Sequence, residues 1–152
     1  MTTNLTFVRF QEQHYPEYAA WFSDPDLDHQ LGPMDEEWLA AILSEKEEEG
    51  VTWAVFLEQE MVGVIETVFD PQNLLPAAIT ALAVKPIRRR QGIARAIFAK
   101  ILLDDHRKGI DCHICYIHQG NSASRSLCEG IGFTAVSEPD DNGYMQYRHI
   151  WA

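Results

Sequence analysis

Residues Leu82 to Arg95, LAVKPIRRRQGIAR, join an apolar run that stops at Pro86, three adjacent arginines, and a glycine at the start of a predicted helix. The N–H groups that open a helix have no partner inside it, and with the helix dipole they attract negative charge. Gly92 and Ala94 are small, so a diphosphate can come close to the backbone there. The stretch predicts a phosphate cradle for a phosphorylated cofactor. Arg88, Arg89 and Arg90 are three of only 12 basic residues in a chain of net charge −11, and Arg95 stands one turn further on. A general nucleic-acid binder needs a broad basic face; one patch in an acidic chain argues against nucleic acid as partner. Arginines merely solvated at a helix start would oppose the helix dipole unless an anion were present.

The elements that must position this cradle alternate strand and helix. Residues 5–10 read as a strand, and Tyr15, Tyr18, Ala19 and Phe22 recur at helical spacing up to about Ser23. Asp24 to Pro33, with two prolines and a glycine, reads as a loop. Trp38, Leu39, Ile42 and Leu43 mark a second amphipathic helix ended by Gly50, with Glu45 to Glu49 as its solvated end. Residues 51–58 and 61–69 predict a hairpin turning at Gln59 and Glu60, and 77–84 the next strand. Ile93, Ala94, Ile97, Phe98, Ile101 and Leu102 trace one face of a long helix that Gly109 stops. A strand at 111–117 follows, then a helix capped by Asn121 or Ser122 and closed by Gly130 and Gly132, and last strands near 133–137 and 144–151 around the turn cluster EPDDNG.

At 152 residues and 46% hydrophobic, the chain fits one domain over residues 1–152. No run approaches the roughly 20 apolar residues that span a bilayer, and the start MTTNLTFVRF lacks the regions of a signal peptide. The expectation is a cytoplasmic protein with no membrane partner and with Cys112, Cys115 and Cys128 as free thiols. Cys112-x-x-Cys115 with His113 and His118 has no second cysteine pair, and alternation sends the two thiols to opposite faces of a strand, so no metal is expected. The P-loop pattern is absent.

Arg89-Arg90-Gln91-Gly92-Ile93-Ala94 resembles the Q/R-x-x-G-x-G/A signature of the GCN5-related N-acetyltransferases (GNATs), and NSASRSLCEGIGF at 121–133 is similar to their second motif. The detailed likeness spans residues 51–137. It implies a three-layer mixed α/β fold: a central, mostly antiparallel sheet of about seven strands with about four helices, the fourth and fifth strands splayed apart. It implies acetyl-CoA as acyl donor, with the backbone of Leu82, Ala83 and Val84 along the pantetheine arm. Arg89, Arg90, Gln91, Gly92, Ile93, Ala94 and Arg95 would lie at the diphosphate, and Asn121 near the arm. Two pantetheine amides suit a strand edge and a diphosphate suits a helix start, so the chemistry agrees. A homodimer is an assembly the family often forms.

The implied reaction is direct acyl transfer to the primary amine of a small molecule or peptide. An alkylamine with a pKa near 10.4 must lose a proton before it attacks, and the departing thiolate gains from a proton donor. Many relatives use a tyrosine of the second motif as that acid; the matching residue here is Cys128, which a core role would also suit. Tyr116, Tyr144 and Tyr147 are replacement candidates, with Tyr116 where some relatives carry a basic glutamate. Glu66, in an apolar strand and on alternation sharing a face with Val62, Val64 and Val68, is the candidate base because partial burial would raise its pKa; His118 is a second candidate. The alternative is a non-catalytic acyl-CoA-binding module of the same fold.

Overall fold

The computed structural model describes residues 4–72 and 74–151. Seven strands form one sheet in the order β1-β2-β3-β4-β5-β7-β6, with β1 Leu5–Arg9, β2 Gly50–Leu57, β3 Glu60–Val68, β4 Ala77–Val84, β5 Cys112–His118, β6 Thr134–Ala135 and β7 Tyr144–Ile150. Every neighbouring pair is antiparallel except β4 with β5. The helices are α1 Tyr15–Ala20, α2 Pro25–Leu31, α3 Glu36–Leu43, α4 Ile93–Arg107 and α5 Ser122–Ile131. This is the three-layer mixed α/β architecture that the resemblance implies.

Two cores flank the sheet. On one side α4 and α5 bury Ile93, Ile97, Phe98, Ile101, Leu102 and Cys128 against Val55, Ile65, Ile79, Cys115 and Ile117. Each large aliphatic or aromatic side chain so buried contributes about 2 kcal/mol before entropy is counted. On the other side α1 to α3 set Tyr18, Trp21, Leu27 and Ile42 on Ala54, Met61, Val64 and Ala83. An edge-to-face aromatic group fills this side: Phe10 lies 5.7 Å from Tyr18 and 5.2 Å from Trp38 between ring centroids.

Four sequence expectations need correction. Asp24 to Pro33 is not a loop throughout, because Asp24 caps α2 through a 3.0 Å bond from the Leu27 N–H, and Pro25 occupies the first helical position, where its missing N–H costs nothing. Leu27, only 4% exposed, anchors the helix in the core. The helix of Trp38 ends at Leu43 rather than running to Gly50, and Glu45 is drawn inward: its carboxylate accepts from Thr52 Oγ1 at 3.2 Å, and burial raises its pKa. The hairpin turns at Glu58 and Gln59, one residue early, with Glu58 at φ +58°. Finally, a β-bulge where Phe56 pairs with Met61 and Val55 with Gly63 makes Val62 an extra residue, so Val62 joins the α4 core while Val64 faces α1 to α3.

Candidate functional site

The site is assembled where β4 and β5 part. β4 runs from Ala77 to Val84, yet its parallel pairing to β5 is confined to Ala77–His113 and Ala78–Ile114. From Ile79 to Val84 the β5-facing edge of β4 has no strand partner among the described residues. Alternate N–H and C=O groups along that edge, which includes Leu82, Ala83 and Val84, are open to a ligand that pairs as a strand does.

A short 3-10 turn at Pro86–Arg88 then leads through Arg90 (φ +63°) and Gly92 (φ +78°) into α4. Ala96 bonds back to the Gly92 carbonyl at 3.1 Å as the first complete helical link, so the N–H groups of Ile93, Ala94 and Arg95 face outward from the helix start. A Cβ built at Gly92 meets nothing within 4 Å, so the space before those amides is open. The left-handed backbone is a second reason for glycine there.

The arginines do not act as one patch. Arg88 forks onto Glu60, with Nε donating to Oε2 at 3.0 Å, and Lys85 Nζ joins at 3.2 Å. Chiefly through the Arg88 bond, this holds the Glu60 carboxyl down at about 2. Arg89 Nη2 is 2.8 Å from Oδ2 of Asp24, the carboxylate that caps α2. Arg95 donates to the Gly130 carbonyl at 2.9 Å and ties α4 to α5. Of the three adjacent arginines, only Arg90 has no ion-pair partner among the described residues. The expected concentration of cationic charge is therefore corrected: carboxylates neutralise Arg88 and Arg89.

Glu66 stands on β3 opposite Thr52 of β2 and Ala81 of β4, on the face turned toward α1 to α3. Its carboxylate is half-buried and accepts from Trp38 Nε1 at 3.3 Å. Burial raises its pKa above the ordinary carboxylate range; the Trp38 bond opposes the shift and the nearby Glu45 charge adds to it. Tyr18 feels the same surroundings, its phenol pushed up by burial and then by the Glu66 charge. Sequence reasoning missed Trp38 and Tyr18 as neighbours of this carboxylate, because their helical spacing is that of any core aromatic.

Cys128 lies elsewhere. It is 3% exposed on the α4–α5 side, its sulfur 3.9 Å from that of Cys115, and this contact, with burial second, raises the Cys115 thiol. The structure thus sets Glu66 and Cys128 on opposite faces of the sheet. Tyr147 is fully buried; its hydroxyl accepts from Arg125 Nε and donates to Glu129, both at 3.0 Å. His118 accepts from the Gly120 N–H at 3.0 Å. Asn121 caps α5 through the Ser124 N–H at 3.2 Å. Among the described residues no three His, Cys, Asp or Glu side chains are grouped to hold a metal ion, and no helix is long and apolar enough to cross a membrane.

A sheet parted where β4 meets β5, with a helix start beside the opening, defines an open, mixed α/β fold, and comparison with known proteins identifies its family. Residues 4–134 match the family described as Acetyltransferase (GNAT) domain, and the chain belongs to this acetyltransferase family. No curated protein matches. Among solved structures, the chain is similar to an acetyl transferase from Salmonella typhimurium that modifies the N-terminal serine of 50S ribosomal subunit protein L7/L12. That likeness has a TM-score of 0.83 at 20% identity over 99% of this chain and 96% of the other. It is also similar to the ribosomal-protein-S18-alanine N-acetyltransferase from Escherichia coli, with TM-score 0.73, 18% identity and coverage of 97% and 94%. A third is the PaiA N-acetyltransferase from Thermoplasma acidophilum, solved in complex with coenzyme A, with TM-score 0.72, 16% identity and coverage of 98% and 100%. At these identities the likeness shows the fold.

Proposed function

We propose that this chain is an acetyl-CoA-dependent N-acetyltransferase that modifies a primary amine of a peptide or small molecule by direct attack. The observation that carries the reading is the bare edge of β4 from Ile79 to Val84 leading to the outward amides of α4, with Glu66 on the adjacent strand. The residues fit the cofactor: the backbone of Leu82, Ala83 and Val84 suits the pantetheine amides, and the open space at Gly92 with the N–H groups of Ile93 to Arg95 suits the diphosphate. Arg90 adds charge there, whereas Arg89 and Arg95 shape the loop through Asp24 and Gly130. When bound, acetyl-CoA supplies an acyl group activated as a thioester.

Glu66 is the base in this reading. A carboxylate with a raised pKa is better matched to an ammonium proton than an ordinary one, and Trp38 orients it. Neutralised amine then faces the opening between β4 and β5. An acidic surface draws cationic acceptors toward it. Because the Salmonella protein modifies an N-terminal serine and the Escherichia protein an alanine of a ribosomal protein, peptide N-termini are the first acceptors to try.

Cys128, packed in the core where relatives carry a tyrosine, favours a second reading: an acyl-CoA-binding module that transfers nothing. Calorimetry with coenzyme A, followed by thiol release from acetyl-CoA over a panel of N-terminal peptides, polyamines and other small amines, separates the two. Binding with thiol release supports the enzyme. Binding without release on any amine supports the module, and no binding by well-folded protein refutes both.

A further inference from the structure

We propose that Tyr116 is the proton donor to the departing sulfur, held for that task by a hydrogen-bond chain from Arg148 through Gln146. The inference rests on the acetyltransferase reading and supplies the acid that Cys128, in the core, does not.

The register locates Tyr116 at the opening. The last β4–β5 pair is Ala78 with Ile114, and Tyr116 stands two residues further along β5. On β4, Ala81 stands three residues beyond Ala78, but pairing of Ile79 with Thr67 and Ala81 with Glu66 makes Thr80 a bulged extra residue, so the advance is equivalent to two. Glu66, beside Ala81, and Tyr116 are therefore level with each other on opposite sides of the gap. They also share a face: Tyr116 alternates with Cys115 and Ile117, and Glu66 with Ile65, all three of which belong to the α4–α5 core. Tyr116 is 58% exposed, so its ring is not enclosed in either core.

The hydrogen bonds around Tyr116 have one direction. Arg148 can only donate, and its Nη2 gives to Gln146 Oε1 at 3.2 Å, which fixes the amide so that Nε2 faces Tyr116. Gln146 Nε2 donates to the phenol oxygen at 2.9 Å. The phenol therefore accepts from Gln146, and its own hydrogen is left to donate elsewhere. A bond received at oxygen strengthens the O–H as a donor and steadies the anion that remains once the proton has gone. Arg148 forms no ion pair among the described residues, so its charge stays available to polarise the chain. Neither of the other two candidate tyrosines is placed this way: both functions of the Tyr147 hydroxyl are taken by Arg125 and Glu129, and Tyr144 packs edge-on against His118 with ring centroids 5.3 Å apart.

The transfer balances with these two groups. The amine nitrogen bonds to the acyl carbon, the carbon–sulfur bond breaks, and its electron pair leaves on sulfur. Glu66, having released the ammonium proton to solvent water, takes the proton that the nitrogen sheds on bonding to carbon, and the Tyr116 proton passes to sulfur. Water then carries a proton from Glu66 back to the phenolate.

Three variants test the assignment: Tyr116→Phe, Gln146→Leu and the two together. Tyr116→Phe should lower kcat by about tenfold or more, with acetyl-CoA affinity within about twofold and melting within about 2 °C of the parent. By calorimetry at about pH 9.5, where a free thiol is ionised, it should weaken binding of coenzyme A by about fivefold or more, because the thiolate loses a charge-assisted bond. Gln146→Leu should lose about threefold or more in kcat, and should add nothing to the Tyr116→Phe variant. Unchanged kcat and thiolate affinity in Tyr116→Phe, or a Gln146→Leu loss of equal size with and without the phenol, overturns the proposal. A parent protein that binds no coenzyme A overturns the underlying reading instead.

Discussion

Replacing Glu66 by glutamine keeps the side chain's shape and its ability to accept from Trp38 Nε1, and removes only the charge. Burial raises the folded-state pKa of Glu66 above its ordinary 4.5, with Glu45 adding to the rise and Trp38 limiting it. Between those two pKa values the folded protein holds a proton that the unfolded chain has released. Stability must therefore fall as pH rises through that window, then level off at a lower plateau. Each unit of displacement corresponds to about 1.4 kcal/mol, or about 3–5 °C of melting temperature for a chain of this size. The Glu66→Gln variant lacks this loss. Its melting temperature minus that of the parent should be smallest near pH 4 and should grow to a constant positive value at about pH 8. Scanning calorimetry at several pH values measures the difference directly. A difference independent of pH, or one that turns negative with rising pH, would show that Glu66 is not desolvated in solution and would remove the argument for it as base. Kinetics give the companion test: turnover should drop by about 10²–10⁴ and the acid limb of kcat/KM should vanish. Trp38→Phe, which removes the one bond that lowers the Glu66 pKa, should move that limb to higher pH.

At Gly92, substitution by valine should weaken coenzyme A binding by about tenfold or more by calorimetry, and should cost about 1–2 kcal/mol in urea unfolding because of the +78° φ. Cys128→Ala should leave kcat within about twofold while lowering stability by about 1–2 kcal/mol, as expected for truncation beside Cys115 in the core. Tyr147→Phe should also spare kcat, yet should lower stability by about 1–3 kcal/mol in urea unfolding, since Arg125 and Glu129 both lose a partner.

The parts legible in the sequence were those set by local pattern. Ile97, Phe98, Ile101 and Leu102 made α4 unmistakable because one stripe of a helix is buried, and residues 77–84 coincide with β4. The prolines and glycine of Asp24 to Pro33 suit a loop on local pattern alone. The Asp-Pro pair is equally a helix start, and Leu27 supplies the buried contact that decides between them. Ion pairs across 65 residues, such as Arg89 with Asp24, leave no trace in a linear pattern. Bulges at Val62 and Thr80 are likewise unreadable, and each changes which side chains share a face. Glu66 was recognisable as a charge inside an apolar strand, but its partner Trp38 was not. Tyr116 could not be told from Tyr144 and Tyr147 until the register placed it level with Glu66.

The opening itself follows from unequal pairing. β4 keeps its ladder with β3 out to the Val84–Gly63 pair, and β5 keeps its own with β7 from Cys112–Ile150 to His118–Tyr144. The sheet is thus two antiparallel ribbons joined by two parallel pairs. The Thr80 bulge falls just after that junction, where the added bend and twist of a bulged strand turn β4 away from its neighbour. At the junction His113 is fully buried and its Nε2 lies 2.8 Å from Asp105 Oδ2, in the last turn of α4. α4 is therefore a stiff strut about 22 Å long with its far end fastened where the strands still touch and its near end presenting amides to the open edge. Moving the cradle relative to the gap would require breaking a buried His–Asp contact, which costs far more than rearranging a surface loop. On the proposed reading, the fold that parts the strands thereby also fixes the distance from the helix start to Glu66 and Tyr116, which is the constraint a long, jointed donor needs if its thioester is to arrive between them.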